Sequence, residues 1–586
     1  MSSVELPRVL RRPGRSSGAI NLGIVIAMLA VLLPLVLNAA STAPTTAAEF
    51  SPNGQQVIKK APPGSGGASN GTSGKGAGPG GSAASASPTP PPPPAKQLSV
   101  PANQVKQCVG PPPLRQIEDP QSPPCIAYWR GDNGGATAPG VTRDAIYVAV
   151  PTPNGFKQEY DALANFFNER FELYGRKLVF EYCSPAAGAD SQGSGDQAHQ
   201  NADAAQAAAG CGGPRPFAST FYQFDNGRYY NQEMGCRYKV VTVGSWEPFD
   251  AGYLSQCSPY LYNYPMMSED IFAQLGDWSC ARLVGRPARW ASGSTAAGRP
   301  ALNTVDRKFG IFLAPYTADD PVARRSALDG LVTRLKQCGA DVPDSQIIIN
   351  PVTETQPGQA VDPASATNAI AQMKQANVST VLCLCATFPF GALLRAASSS
   401  SYHPEWIGST FGGLDQVVIL TLSAAPADEL RSLFGLTFVP RQINPYLEPF
   451  NAAFEEGDPS LGPQTKSTDY SNFTQVYRPI LMLASGLQMA GPHLTPQTFL
   501  AGLRKTHFPN PITSTHAGAV GVPPNGFSFT DDAAEWWWSN SAQGPYTDDA
   551  TGKGAFCYLD GGVRHLMGTW RHGDSGFFSG SCDSGA

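Results

Sequence analysis

Segments in which apolar residues have the spacing of a strand alternate with segments in which they have the spacing of a helix. This alternation constrains the fold more than any other feature of this 586-residue sequence. Residues 145–150 form a short apolar run that predicts a strand. The apolar residues across 160–174 then recur every three or four positions, which predicts a helix ending at Gly175. Residues 178–182 alternate again as a strand. This strand–helix–strand order is the repeating unit of a parallel α/β sheet.

The same unit recurs along the chain. At least seven strands are predicted over about 145–505, and two sheets of moderate size suit that length better than one. The further strands are predicted at 238–243, 309–313, 347–349, 378–385, 406–407 and 433–439, and the further helices at 320–338, 366–373, 390–397, 478–489 and 495–503.

The composition excludes several classes of protein. The 41 lysines and arginines against 46 aspartates and glutamates give a net charge of −5, which lacks the basic excess of a nucleic-acid-binding protein. The 61 glycines and 54 prolines follow no three-residue period, which excludes collagen. Because only one stretch, near the N-terminus, is long and apolar enough to span a bilayer, a polytopic membrane protein is also excluded.

The first 41 residues have the order of an export signal. Four arginines between positions 8 and 15 precede an uncharged run at 19–37, and small residues follow it. The run is also long enough to span a membrane, so a single transmembrane anchor is the competing interpretation. In both cases the basic head places the rest of the chain outside the cytoplasm. Residues 42–107, rich in Gly, Ser and Pro, are predicted to be a disordered linker.

The twelve cysteines fit an oxidising compartment. No pair has C-x-x-C spacing and no histidine lies beside a cysteine pair at ligand spacing, so disulfides are predicted and a metal site is not. Two pairings are favoured, Cys183 with Cys211 and Cys557 with Cys582, although sequence does not fix the connectivity. Cys383 and Cys385 are expected to face opposite sides of a strand and not to bridge each other.

Four segments resemble a known family of exported proteins. They are 131–142 (GDNGGATAPGVT), 166–178 (FFNERFELYGRKL), 393–406 ending in YHPEW, and 557–564 (CYLDGGVR). In order and spacing, over about 125–570, they resemble the type I periplasmic binding proteins, the branched-chain amino-acid-binding family of ABC transporter substrate-binding proteins, in their actinobacterial exported form.

The resemblance implies an α/β fold of two lobes, each a parallel sheet flanked by helices, joined by three crossovers. Lobe 1 would comprise residues 108–262 and 435–520, lobe 2 residues 263–434 and 525–570, and residues 571–586 a tail. It also implies an extracytoplasmic solute-binding protein, not an enzyme, that holds a small molecule in its cleft and delivers it to an ABC transporter permease.

The candidate ligand site lies where the predicted strands end. In open α/β sheets, ligands bind beyond the carboxyl ends of the strands. In the family, the first two such loops hold the ligand carboxylate, and Ser219 and Ser245 match them by position. Aromatic residues of lobe 2 cover the ligand, which Tyr316 and Phe388 match, although each could equally be a core residue. The candidate set is Ser219, Thr220, Ser245, Trp246, Tyr316, Thr387, Phe388, Phe411 and Asp415.

The ligand is expected to be apolar or aromatic and weakly charged. Amino-acid-binding members of the family place a carboxylate after the strand near Ile407, where it pairs with the ligand ammonium. The only acid in residues 408–415 of this chain is Asp415, at the end of the segment. Because an unpaired ammonium in a dry cleft is costly, an ordinary amino acid is disfavoured. No cofactor, metal or nucleic-acid partner is predicted.

Two other functions compete with this one. They are a ligand sensor of the same fold without transport, and an exported α/β hydrolase-type enzyme using a carboxylate pair in the cleft or Ser575 in the string GDSG at 573–576. That string lacks the following glycine of a serine-protease loop, and a second string, GASNG at 67–71, lies in the linker. The tryptophans at 536–538 are expected to pack under the lobes, since alternate residues of a strand face opposite sides.

Overall fold

A computed structural model describes most of the chain after residue 107. Within the predicted linker, Glu49–Phe50 pairs antiparallel with Gln56–Val57 in a compact unit of its own. The rest of the predicted signal and linker lies outside the described residues. In the main body these are 108–110, 114–151, 156–184, 197–220, 222, 227–243, 248–314, 321–349, 363–385, 387–416, 425–505, 520–546 and 554–585.

The first lobe is built on a five-stranded parallel sheet. Its strands are β1 (Ala145–Pro151), β2 (Lys177–Cys183), β3 (Ala218–Ser219), β4 (Val241–Val243) and β5 (Leu261–Tyr262), in the spatial order β2-β1-β3-β4-β5. All but one residue of β1 are buried, which is typical of a parallel strand covered on both faces.

The second lobe is built on an eight-stranded mixed sheet. The strands of this part of the chain are β6 (Ser292–Gly293), β7 (Phe309–Ala314), β8 (Ile347–Ile349), β9 (Thr380–Cys385), β10 (Tyr402–His403), β11 (Glu405–Ser409), β12 (Leu433–Thr437), β13 (Asp532–Ser539), β14 (Ala555–Tyr558) and β15 (Arg564–Leu566). The spatial order of the sheet is β8-β7-β9-β11-β12-β13-β14, and β15 also pairs with β13. Only the pairs made by β13 are antiparallel. Strands β6 and β10 pair with each other as a separate ribbon.

Helices cover both faces of each sheet. The described α-helices are α1 (Lys157–Arg170), α2 (Gln197–Ala208), α3 (Arg228–Gln232), α4 (Ala251–Ser255), α5 (Ser268–Arg282), α6 (Pro321–Gln337), α7 (Pro363–Gln375), α8 (Thr387–Ser399), α9 (Ala427–Leu430), α10 (Pro449–Gly457), α11 (Ser467–Ala490) and α12 (Pro496–Lys505). The first sheet packs against α1, α10, α11 and α12 on one face and against α2 and α3 on the other. The second packs against α7 and α8 on one face and against α5 and α6 on the other. This confirms the predicted fold class.

The three tryptophans of β13 pack as the alternation of a strand predicts. Trp536 and Trp538 lie in the core beneath α7 and α8, and Trp537 packs on the opposite face. The three side chains therefore pack the antiparallel part of the second sheet against the helices on both of its faces.

The chain passes between the lobes at residues 263–267, 438–448 and 523–531. The first crossover leaves the carboxyl end of β5 and enters α5 of the second lobe. The second leaves the carboxyl end of β12 and enters α10 of the first lobe, so it begins after Thr437, whereas the sequence predicts a boundary at 434/435. The strand before each of these two crossovers therefore ends on the side of its sheet that faces the other lobe. Because neighbouring parallel strands point the same way, the carboxyl ends of the other parallel strands in that sheet face the other lobe as well.

The crossovers are tied to one another. The backbone N–H of Asn263 donates to the carbonyl of Phe527, and the Asn263 carbonyl accepts from the N–H of Phe529, at 2.8 and 2.9 Å. Buried Arg564 donates to the Asp532 carboxylate at 2.9 Å and to the Val439 carbonyl at 2.8 Å, which links the second crossover to the end of the third.

Most of the predicted strands and helices are confirmed, and two helix ends differ. Helix α1 ends at Arg170, before the predicted stop at Gly175, because Phe171 takes up extended backbone while remaining buried. Helix α11 begins at Ser467, well before the predicted start at 478, and buries Tyr470 and Phe473 in its added turns.

All twelve cysteines are paired in the structure. Two of the pairs are those that the sequence favours. The expectation for Cys383 and Cys385 was wrong, because residues two apart on a strand share a face, and both sulfur atoms lie in the core beneath α7 and α8. The pairs are Cys108–Cys125, Cys183–Cys211, Cys236–Cys257, Cys280–Cys338, Cys383–Cys385 and Cys557–Cys582.

No helix in the described part of the chain is long and apolar enough to cross a membrane. The apolar run at 19–37 lies outside that part, so its interpretation as signal or anchor stays a prediction.

The buried ion pair between Arg307 and Glu405 offers a test of the second lobe. The side chains are 2% and 0% exposed, and two N–O contacts of 2.7 and 2.9 Å join them. Replacing Arg307 with Met leaves the Glu405 carboxylate buried without a counter-charge. We expect the free energy of unfolding to fall by about 3–5 kcal/mol in urea titrations.

The matched control is Asp329→Asn, which removes one of the two acidic partners of the exposed Arg325 on α6. This change should alter the free energy of unfolding by less than about 1 kcal/mol. Equal effects of the two substitutions would contradict the assignment of Arg307 and Glu405 as a buried pair.

Candidate functional site

The carboxyl ends of β3, β4, β7, β9 and β11 lie at the boundary between the lobes and define the candidate ligand site. One direct contact shows the two lobes meeting there. Gln416, in the turn after β11, accepts a 2.7 Å hydrogen bond from Ser471 near the start of α11, which packs in the core of the first lobe. The edge that the sequence analysis selects for ligand binding is therefore an inter-lobe edge.

Ser219 ends β3 at this edge, Thr220 follows it, and both are buried. The Ser219 hydroxyl donates to the Thr220 carbonyl at 2.9 Å and lies 2.8 Å from the hydroxyl of Tyr230. The Thr220 N–H donates to the carbonyl of Ala149 in β1, while its side-chain Oγ1 is buried with no hydrogen-bond partner among the described residues. Of the two predicted hydroxyls, that of Ser219 is thus engaged within the lobe, and that of Thr220 is buried without a partner among the described residues.

A pair of stacked tyrosines holds the end of β3 in place. The rings of Tyr222 and Tyr230 lie 4.9 Å apart, and the Tyr222 hydroxyl donates to the carboxylate of Asp203 on α2. Burial raises the pKa of Tyr230 above its ordinary value, so its phenol stays protonated and can donate to Ser219. This arrangement fixes the backbone from which Thr220 projects.

Thr410, Phe411 and Asp415 follow β11 in the second lobe. Asp415 accepts hydrogen bonds of 2.6 Å from Thr410 and from Thr437 at the end of β12, both on Oδ2. The Thr410 hydroxyl oxygen in turn accepts from the backbone N–H of Phe438 at 2.8 Å. Asp415 therefore joins the ends of β11 and β12 at the start of the second crossover.

The environment of Asp415 disfavours a free carboxylate. It is 5% exposed, and burial raises its pKa despite the two threonine hydrogen bonds, which lower it. The predicted aromatic residue Phe411 is also largely buried, with its ring 5.3 Å from that of Phe272 on α5. Both residues lie at the predicted edge, and much of their surface is already covered by the second lobe.

The other predicted site residues are less fully described. Ser245, Trp246 and Tyr316 lie outside the described residues, so their roles stay predictions. Thr387 and Phe388 begin α8 immediately after β9, at the inter-lobe edge, and their side chains are not among those described.

The sequence analysis missed a buried polar network beneath the crossovers. Asp119, within the loop closed by Cys108–Cys125, pairs with Arg478 of α11 at 2.6 Å and accepts from the Tyr477 hydroxyl at 3.0 Å. Gln121 accepts from Arg478 and from the hydroxyl of Tyr264 in the first crossover. These pairings connect residues more than a hundred positions apart, and no spacing in the sequence signals them.

Glu448 is the second missed residue, at the end of the second crossover. Its Oε1 accepts from the Ile443 N–H at 3.1 Å and from the Tyr546 hydroxyl at 3.0 Å. It is 1% exposed, and burial raises its pKa to about 8, so the carboxyl is largely protonated at neutral pH.

Ser575, the candidate nucleophile of the hydrolase alternative, is buried near the C-terminus. Among the described residues it makes no hydrogen bond with a histidine. The geometry required of a serine–histidine pair is therefore not seen in the part of the chain that the structure describes.

No protein-family model matches this chain, and no curated protein matches its sequence. Its structural neighbours are type I periplasmic binding proteins of ABC transporters. Their TM-scores lie below 0.5, and the two-lobed fold follows independently from the strand order and the crossovers.

Three of these neighbours are described with different ligands. A solute-binding protein of an ABC transporter from Rhodopseudomonas palustris BisB5, in complex with 3,4-dihydroxybenzoic acid, is 10% identical at a TM-score of 0.46 and covers 72% of this chain and 97% of its own. The leucine-, isoleucine-, valine-, threonine- and alanine-binding protein of Brucella ovis is 12% identical at 0.47, covering 74% and 100%. A fatty acid ABC transporter substrate-binding protein from Thermomonospora curvata is 13% identical at 0.44, covering 75% and 96%.

The buried Glu448 predicts how stability depends on pH. Its pKa rises from an ordinary value of 4.5 to about 8 on folding, so between these values the folded chain binds a proton that the unfolded chain has lost. The contribution of Glu448 is therefore fully present below about pH 4.5 and is lost as pH rises to about 8, by up to about 1.4 kcal/mol per pH unit. Thermal or urea unfolding at pH 5.5 and 8.0 measures it.

Glu448→Gln keeps a neutral side chain at every pH and should reduce this loss of stability. The matched control is Glu455→Gln on the exposed face of α10, which should leave the pH dependence unchanged. An identical pH profile for wild type and Glu448→Gln would show that Glu448 does not titrate in this window.

Proposed function

We propose that this chain is an extracytoplasmic solute-binding protein that captures a small organic molecule between its two lobes and delivers it to an ABC transporter permease. The observation that carries the proposal is the direction of the crossovers. The chain leaves β5 and β12 at their carboxyl ends and enters the other lobe each time, so ligand-binding edges of both sheets face one another. Three adjacent crossovers suit hinge closure, in which a ligand stabilises the closed state.

The ligand proposed is apolar or aromatic and weakly charged. At the described strand ends, the Thr220 hydroxyl and Asp415 Oδ1 are buried polar atoms without a hydrogen-bond partner among the described residues, and Phe411 supplies apolar surface. The acid in this region, Asp415, already accepts from Thr410 and Thr437, and burial raises its pKa. Because burial already disfavours the charged form of the Asp415 carboxyl, it is a poor partner for a ligand ammonium, and a neutral or weakly anionic ligand suits the site better.

The proposal includes export of the chain. Residues 1–41 would direct it out of the cytoplasm as a signal or an anchor, and residues 42–107 would form a spacer. The six disulfides support an oxidising compartment. We assign 108–262 and 438–520 to lobe 1 and 263–437 and 525–570 to lobe 2, and Phe577 of the tail packs in the core of lobe 2.

A ligand screen tests the proposal. Native mass spectrometry of the exported chain should detect a co-purified small molecule. A thermal-shift panel should show a raised midpoint with aromatic acids, such as benzoate and 3,4-dihydroxybenzoate, or with fatty acids, because a ligand stabilises the state that binds it. Leucine and valine are the comparison ligands. Tight binding of leucine would refute the ligand class while leaving the solute-binding function intact.

Thr220→Val tests the site itself. The substitution preserves shape and removes a hydroxyl that has no partner within the described residues. We expect little change in stability and about a tenfold weaker affinity for the ligand found in the screen, measured by calorimetry.

Ser219→Ala is the matched control for this substitution. Its hydroxyl lies 2.8 Å from the buried Tyr230 phenol, so its loss should lower the free energy of unfolding by about 1 kcal/mol or more. A Thr220→Val variant that binds the ligand as tightly as wild type would remove Thr220 from the site.

Transport is tested separately from binding. A strain lacking this chain should lose uptake of the identified ligand. Unchanged uptake would favour a ligand sensor of the same fold.

A further inference from the structure

A cluster of three potential metal ligands lies in the second lobe, away from the candidate ligand site. His403 ends β10, just before the amino end of β11, and Asp428 and Glu429 lie in α9, just before β12. The ligand atoms of the three side chains lie within 4.8 Å of one another, and no other group of this kind is found in the described part of the chain. Because the candidate ligand site lies at the carboxyl ends of β11 and β12, the cluster is at the opposite edge of the sheet.

The distances within the cluster are close to those of a coordination sphere. His403 Nδ1 lies 2.6 Å from Glu429 Oε1 and 3.9 Å from Asp428 Oδ2. Ligand atoms about 2.0–2.1 Å from a tetrahedral zinc ion lie about 3.4 Å from one another. Each of the two observed distances differs from that value by less than about 1 Å, which small side-chain rotations can supply.

The charge of the cluster favours a cation. Two adjacent carboxylates face one imidazole, and the side chain of Glu429 is 0% exposed. The nearby Arg431 uses its Nε to bind the backbone carbonyl of Asp428, and no ion pair from it to either carboxylate is among the described contacts. Burying a carboxylate without full charge compensation is costly, and a divalent ion would supply that compensation.

Two hydrogen bonds orient the carboxylates toward the imidazole. Trp406 Nε1 donates to Glu429 Oε2 at 2.8 Å, which leaves Oε1 facing His403. Ser398 Oγ donates to Asp428 Oδ2 at 2.8 Å. Donors of this kind hold ligating carboxylates in place at protein metal sites. Asp428 and His403 are 32% and 22% exposed, so an ion can reach the cluster from solvent.

We propose that His403 Nδ1, Asp428 Oδ2 and Glu429 Oε1 bind a Zn²⁺ ion, with the fourth position open to solvent. A nitrogen ligand with two carboxylates suits zinc better than calcium or magnesium, which take oxygen ligands. Zinc would replace the 2.6 Å contact between His403 Nδ1 and Glu429 Oε1. The ion ties β10 to α9 and so stabilises the second lobe.

Zinc titration of the exported chain, purified without a histidine tag and freed of metal by a chelating resin, tests the proposal. Calorimetry with ZnCl₂ should show one site per chain, and zinc should raise the thermal midpoint. Asp428→Asn should weaken zinc binding by at least about tenfold, and His403→Gln should abolish it. Replacing zinc with Co²⁺ should give a visible absorption spectrum that is lost in His403→Gln.

His493→Gln, which changes a histidine of the first lobe, is the matched control and should bind zinc as wild type does. Metal-free unfolding curves of each variant show that it is folded. Asp428→Asn, at a partly exposed position, decides the question if His403→Gln does not fold. No zinc binding by the wild type, or equal binding by wild type and Asp428→Asn, would overturn the proposal.

Discussion

The parallel pairing of strands is the constraint on which the rest of this structure depends. Parallel strands cannot be joined by hairpins, so each connection crosses the sheet and places its helix on one face. All carboxyl ends of such a sheet then lie along one edge. In this chain that edge carries the strand-end loops of both lobes, and the crossovers after β5 and β12 direct each edge toward the other lobe. The place of the candidate ligand site is thus a consequence of strand direction.

Buried polar groups hold the region between the lobes. Arg564 connects Asp532 to the Val439 carbonyl, and Asp119 pairs with Arg478 beneath the first crossover. Removing one partner of such a pair leaves a buried charge, which costs more than the pair itself contributes. Near these pairs, Glu448 is buried with a pKa of about 8. These contacts connect the crossovers to one another and to the body of the first lobe.

For each site residue, the neighbouring sequence predicts its position in the fold but not its contacts. The sequence predicts that Thr220 and Asp415 lie at strand ends, because each follows a strand that its own neighbouring residues predict. What each does there depends on distant residues. The Tyr230 hydroxyl lies 2.8 Å from the Ser219 hydroxyl, and Thr437 donates to Asp415 Oδ2. Neither contact follows from the spacing of residues near 219 or 415. The contact between His403 and Glu429 is likewise not predicted by the sequence. The two residues are 26 positions apart and meet only because β10 and α9 lie side by side.

The sequence by itself determined the alternation of strands and helices, since apolar spacing is a local property that each segment carries. It also determined the burial of Trp536 and Trp538 on one face of β13, which follows from the two-residue period of a strand. The tertiary structure alone decided that β12 belongs to the second sheet and that Asp119 meets Arg478. Both depend on strand order or long-range contact, and the free energy of such a contact is set by burial that exists only once the chain has folded.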